Sequence, residues 1–122
     1  EYRRERWQRI IIEAAKQSGR VVLPEIEAPI SLEAFLAGDY EGLKLMLWEE
    51  EKEVKLKEIL RQQKESREVL VLAGPEGGFS LEEVKKAEEK GFRTVSLGPR
   101  MLRAESVSIV VLGILQYEWG DL

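Results

Sequence analysis

Two glycine-bearing segments hold the residues best placed to do chemistry: Gly74-Pro75-Glu76-Gly77-Gly78-Phe79-Ser80 and Ser96-Leu97-Gly98-Pro99-Arg100-Met101-Leu102-Arg103-Ala104-Glu105. Glycines in the first let backbone amides come close to a ligand, or take positive φ where a Cβ would clash. Such a loop suits a nucleotide-like ligand. A G-x-G-x-x-G fingerprint and a P-loop lysine are both absent, so neither dinucleotide nor nucleoside triphosphate binding is indicated. The same glycines and prolines also serve a plain tight turn between strand and helix. Arg103 and Glu105 have a plain reading too, as an ion pair at a helix start. The chain has no histidine and no cysteine. Ser-His-Asp and Cys-His mechanisms and the usual zinc sites are thereby excluded, and no metal is expected. Chemistry must come from carboxylates, Arg, Lys, Ser, Tyr, backbone groups or a cofactor.

The elements that position these loops can be read from apolar periodicity. Val69-Leu70-Val71-Leu72-Ala73 has no polar interruption and reads as a strand buried on both faces. Ser80-Leu81-Glu82-Glu83 fits a capping box that opens a helix running to about Lys90, stopped by Gly91. A strand follows at 93–97, then the second loop, then a helix over about 104–118. Upstream, Trp7, Ile10, Ile11, Ala14, Ala15 and Ser18 predict an amphipathic helix over 5–18, ended by Gly19. Val21-Val22-Leu23 reads as a strand stopped by Pro24, and Pro29 with Ser31 starts a short helix to about Leu36. Leu43 to Trp48 is the next strand. Glu49-Glu50-Glu51 reads as a solvated turn entering a helix that carries Val54, Leu56, Ile59 and Leu60. Alternating strands and helices imply one α/β domain over 1–122, a parallel sheet with helices on both faces. The generic solution is an unknotted, flavodoxin-like sheet.

The last helix places Val107, Ile109, Val110, Val111, Leu112, Ile114 and Leu115 on nearly every face. Such a helix must be buried, inside the domain or against a partner chain. A homodimer through this C-terminal helix is the expectation. A formal charge of −4 argues against broad nucleic-acid binding by this chain alone. The longest apolar stretch, Ile109 to Leu115, is far short of the roughly 20 residues that span a bilayer. A cytoplasmic protein without membrane attachment is expected.

GPEGGFS followed by SLGPRMLRAE resembles the C-terminal half of the RsmE-type enzymes, the 16S ribosomal RNA uracil-N3 methyltransferases of the SPOUT superfamily. Glu13-Ala14-Ala15-Lys16-Gln17-Ser18-Gly19-Arg20, with Pro24 beyond it, is similar to that family as well. Its second loop more often reads LGPRILRTET, so Met101, Ala104 and Ser106 are departures, and Ala104 lacks a hydroxyl. The resemblance implies a C-terminal trefoil knot, one of the rare exceptions to unknotted chains. It also implies S-adenosyl-L-methionine held in a bent pose by Leu47, Gly74, Pro75, Gly77, Gly78, Leu97, Gly98, Met101 and Leu102.

The resemblance further implies methyl transfer to N3 of a uridine in ribosomal RNA or a small-subunit particle. Arg103 would stabilise negative charge on the ring oxygens, and Glu105 or Glu13 would accept the proton. Arg9, Gln17 and Arg20 become substrate-side candidates, although their four-residue steps also describe a solvated helix face. In a dimer, Glu13, Gln17 or Arg20 of one chain would serve Arg103 of the other. The family carries an N-terminal RNA-binding β-barrel that this chain lacks, so a fragment with weakened RNA affinity is expected. Two other readings stand beside this one. A SPOUT methyltransferase could act on another ribosomal or transfer RNA site, and a non-enzymatic α/β module could keep the glycine loops only as turns.

Overall fold

The computed structural model describes residues 25–63, 68–74, 78–98 and 104–120, the side chains at 104 and 105 excepted. Within them the order is α1 (Leu32–Leu36), β1 (Leu43–Leu47), α2 (Leu56–Gln62), β2 (Val69–Ala73), α3 (Leu81–Glu89), β3 (Arg93–Val95) and α4 (Ala104–Trp119). The chain divides into two compact units, Glu1–Phe35 and Leu36–Leu122. In the first, Ser31 caps the start of α1: its Oγ accepts from the Ala34 amide at 3.0 Å. The predicted helix over 5–18 and strand at 21–23 lie outside the described residues.

The second unit is built on a parallel sheet in the order β2-β1-β3. β1 is its centre, and side-chain alternation divides its residues between two layers. Leu43 and Leu45 join Leu56, Ile59 and Leu60 of α2 in one buried cluster, against which Ile114, Leu115 and Trp119 of α4 pack. On the opposite face Met46 is fully buried, and the Lys44 ammonium donates to the Lys90 carbonyl just past α3 at 3.0 Å. Val84 and Ala87 are the buried residues of α3. Helices therefore cover both faces. Leu45 and Met46 have no accessible surface, and burying such side chains contributes about 1.5–3 kcal/mol each.

β2 is half-buried from Val69 to Leu72 and exposed at Ala73, rather than closed on both faces. Its apolar run matches a central strand, but the central place among the three belongs to β1. Among the described residues no helix is long and apolar enough to cross a membrane.

Within the single chain the last helix is buried along one side only. Val111 is 3% exposed, whereas Ile109 is 74%, Leu112 62% and Tyr117 72% exposed. Val107, Val111, Ile114, Leu115 and Trp119 form one inward stripe, as a 3.6-residue period demands. Arg61 of α2 meets Glu118 at 3.9 Å, an ion pair too open to water to add much.

Candidate active site

Register brings the loops together. Leu47, the last residue of β1, pairs with Ala73 on one side and Val95 on the other. The three strands therefore end level, and their outgoing segments emerge at the same carboxyl edge. That edge is where ligands bind in open parallel sheets. Leu47, Gly74, Leu97 and Gly98 of the predicted cofactor set are gathered there.

The two ends of the first loop meet. A Cβ on Gly74 would lie 3.3 Å from the Gly78 carbonyl carbon and from the Phe79 ring, which places the two ends of the loop against each other. Ser80 then starts α3 with the full capping box: its Oγ accepts from the Glu83 amide at 3.1 Å, and Glu83 accepts from the Ser80 amide at 2.9 Å. Such a cap stabilises a helix by about 1 kcal/mol. The other end closes as a Schellman motif, with the Phe92 amide on the Ala87 carbonyl and the Gly91 amide on Glu88. α3 is thus fixed at both ends between the two loops.

Two glycines shape the edge. Gly78 has φ +74 and Gly98 φ +124, backbone that L side chains rarely adopt. Among the described residues nothing lies within 4 Å of where a Cβ would stand on either. Side chains there would enter open space, so these positions leave room for a ligand rather than for protein packing. Ser96 fixes the second of them, its Oγ accepting from the Gly98 amide at 3.1 Å and donating to the Gly98 carbonyl at 3.2 Å.

A cavity of about 570 Å³ is lined by Leu97 and Gly98 together with Lys55 and Leu56 and with Ile109, Gly113 and Ile114 of α4. It shares Ser96, Leu97 and Gly98 with the glycine-bearing edge, where the ends of all three strands meet.

Glu49 and Glu50 form the exposed turn expected of the acid run after β1, but the run does not lead straight into a helix. α2 begins only at Leu56, and Glu51 turns back onto the sheet. Its Oε1 accepts from the Thr94 hydroxyl at 2.6 Å, and its Oε2 accepts from the amides of Glu53 and Val54, each at 3.1 Å. The Thr94 hydroxyl, helped by the two amides and opposed by partial burial, holds this carboxyl below the usual carboxylate pKa. A depressed folded-state pKa adds stability that is complete above the unfolded value and fades as pH falls through the folded one. The gap in thermal midpoint between wild type and Glu51→Gln should therefore hold steady from neutrality toward the usual carboxylate range and close below it. A gap independent of pH would mean that the charge contributes nothing.

Residue spacing singles out neither Glu51 nor its partner. The available signal is Thr94 and Ser96 at alternate positions of one strand, since half-buried hydroxyls need partners. Pro75, Gly77, Met101, Leu102, Arg103, Glu13, Arg9, Gln17 and Arg20 lie outside the described residues, as does the side chain of Glu105.

The family model of the RNA methyltransferase domain matches residues 1–116. The chain belongs to this family. As a methyltransferase domain it is 40% identical over 111 residues to the ribosomal RNA small subunit methyltransferase E of Synechocystis, covering 88% of this chain and 36% of that protein. It is 39% identical to the protein of the same name from Aquifex aeolicus, covering 91% of this chain and 46% of the relative. The domain thus spans less than half the length of these relatives. Among solved structures, a Legionella pneumophila protein described as a methyltransferase, with bound cofactor SAM, superimposes with a TM-score of 0.87 at 38% identity. That likeness covers 99% of this chain and 48% of the other. A ribosomal RNA small subunit methyltransferase E from Neisseria gonorrhoeae bound to S-adenosyl methionine gives 0.86 at 34%, covering 99% and 50%.

Proposed function

We propose that this domain binds S-adenosylmethionine at the carboxyl edge of its sheet and transfers the methyl group to N3 of a uridine in 16S ribosomal RNA, as the catalytic part of an RsmE-type enzyme. The observation that carries this reading is the double pairing of Leu47 with Ala73 and Val95, which levels the exits of all three strands beneath the two open glycines. The SAM-bound relatives and the small-subunit relatives support it. The cofactor, when bound, supplies a methyl group on a sulfonium.

The chain's own residues bind, position and handle a proton. Leu47 and Leu97 offer apolar surface to the adenine, while Gly74, Gly78 and Gly98 admit the cofactor to the backbone. Pro75, Gly77, Met101 and Leu102 complete the set. Uracil N3 must lose a proton as the methyl arrives. Arg103 stabilises the charge that spreads to the ring oxygens, and Glu105 or Glu13 takes the proton directly or through water. Arg9, Gln17 and Arg20 hold the RNA. A C-terminal trefoil knot, a homodimer through α4 and action in the cytoplasm belong to the same proposal.

Calorimetric titration with S-adenosylmethionine and S-adenosylhomocysteine tests the cofactor reading, and folded protein that takes up neither would reduce the domain to a non-enzymatic module. Nucleoside analysis of unmodified small-subunit particles after incubation tests the chemistry. Methyl groups found elsewhere than uridine N3 would favour another RNA site. Arg103→Ala should lower turnover by roughly 100-fold or more while changing cofactor affinity little, because its partner is charge that develops in the transition state. Equal losses in turnover and affinity would move Arg103 to cofactor binding.

A further inference from the structure

The segment between β1 and α2 is tied to the outgoing end of β3 by backbone bonds at its two ends. The Trp48 amide donates to the Val95 carbonyl at 3.3 Å, the Ser96 amide to Val54 at 2.8 Å, and the Leu56 amide to Ser96 at 2.9 Å. Between the first and second of these bonds the chain bulges, and the Glu51 carboxylate fills the bulge. It collects three donors, one from the Thr94 side chain and two from its own segment. Just beyond, the Ser96 hydroxyl holds both polar groups of the Gly98 backbone.

We propose that Glu51 is a positioning residue for the cofactor site: by clamping the 48–56 segment to Thr94, it sets where Leu97 and Gly98 stand relative to Leu47. The proposal rests on the reading of this edge as the S-adenosylmethionine site. A carboxylate is suited to the task because it only accepts, and bonds to a charged acceptor are roughly twice as strong as neutral ones. The backbone pairs alone do not fix the spacing, since none of them involves residues 49–53 and β3. Without the clamp, the bulge can relax while the sheet stays intact. The tie joins residues 43 positions apart, on two of the three strand exits that form the site.

Thr94→Val removes the hydroxyl and keeps the branched shape, Thr94→Ser keeps the hydroxyl, and Ile59→Val lowers stability within the core cluster without touching the tie. Two quantities are measured on each: amide hydrogen exchange at Ser96 and Gly98 in the cofactor-free protein, and affinity for S-adenosylhomocysteine by calorimetry. Thr94→Val should speed exchange at both amides and weaken binding about tenfold, Thr94→Ser should restore both, and Ile59→Val should change neither. A wild type that binds while Thr94→Val binds equally well overturns the positioning role, as does unchanged exchange in Thr94→Val. Equal losses in Ile59→Val also overturn it, since general stability would then explain the effect. A folded wild type that binds no cofactor instead overturns the site reading, and the exchange data then still decide whether the tie sets the backbone.

Discussion

Gly78→Val and Gly98→Val should each abolish measurable S-adenosylmethionine binding in a protein that still folds. At φ +74 and +124 a branched residue is strained, at a cost on the order of 1–2 kcal/mol for a left-handed residue. That is a tolerable loss against typical domain stabilities of about 5–15 kcal/mol. Among the described residues no atom lies within 4 Å of the new Cβ at either position, so no clash with them adds to the strain. The isopropyl group instead occupies the space left for the ligand, and excluding a close backbone approach should cost at least about 100-fold, or some 2.7 kcal/mol, in affinity. Gly98 borders both the edge and the cavity along α4 whereas Gly78 does not line that cavity, so Gly78 gives the contrast. Gly113→Leu would fill the cavity along α4 and is compatible with the helix. If Gly113→Leu removes cofactor binding and Gly78→Val does not, the cofactor occupies the α4 cavity and the glycine-edge assignment is wrong. Calorimetry on the three variants, with circular dichroism to confirm folding, decides between them.

Legibility in the sequence depends on the range of the interactions involved. The capping box at Ser80 and the stop at Gly91 are closed by partners a few residues away, and both occur where local spacing places them. The strand over 69–73 has the same ends in sequence and structure because an apolar run sits between charged residues and a glycine. Its place in the sheet is not legible, since β1 and β2 are similar apolar runs and only the order of pairing makes β1 central. Spacing groups Glu51 with its neighbours in one solvated acid run, because its partner Thr94 is a whole α/β unit away and no local pattern distinguishes Glu51 from Glu49 or Glu50. Of the site, Leu47, Gly74, Gly78, Leu97 and Gly98 are named through resemblance to a family. Their joint position comes from strand register, which spacing alone does not encode. The last helix shows the same limit. With apolar side chains on nearly all its faces, no stripe stands out, and only packing in the folded chain buries Val111 and leaves Leu112 exposed.

That selection sharpens the expected behaviour of the proposed homodimer. Ile109, Leu112 and Tyr117 are each more than half exposed, and Ile109 and Tyr117 also line the cavity beside Lys55 and Leu97. An apolar helix face bordering a recess is the kind of contiguous patch that monomeric proteins seldom leave open. A two-fold contact lets the same face meet itself, each chain placing side chains over the other's recess. Leu112→Glu should therefore turn a dimer into a folded monomer, because the new charge stands in water once the chains part. Val111→Glu should act differently: it puts an unpaired carboxylate where only 3% of the residue is accessible, at a cost of several kcal/mol that unfolds or loosens the domain rather than separating two intact ones. Ile114→Glu, packed against the core cluster, should follow Val111 and not Leu112. Light scattering gives the mass of each variant and near-ultraviolet circular dichroism its packing. A wild type that is monomeric at micromolar concentration, or a Leu112→Glu variant that keeps the wild-type mass, removes α4 as the dimer interface.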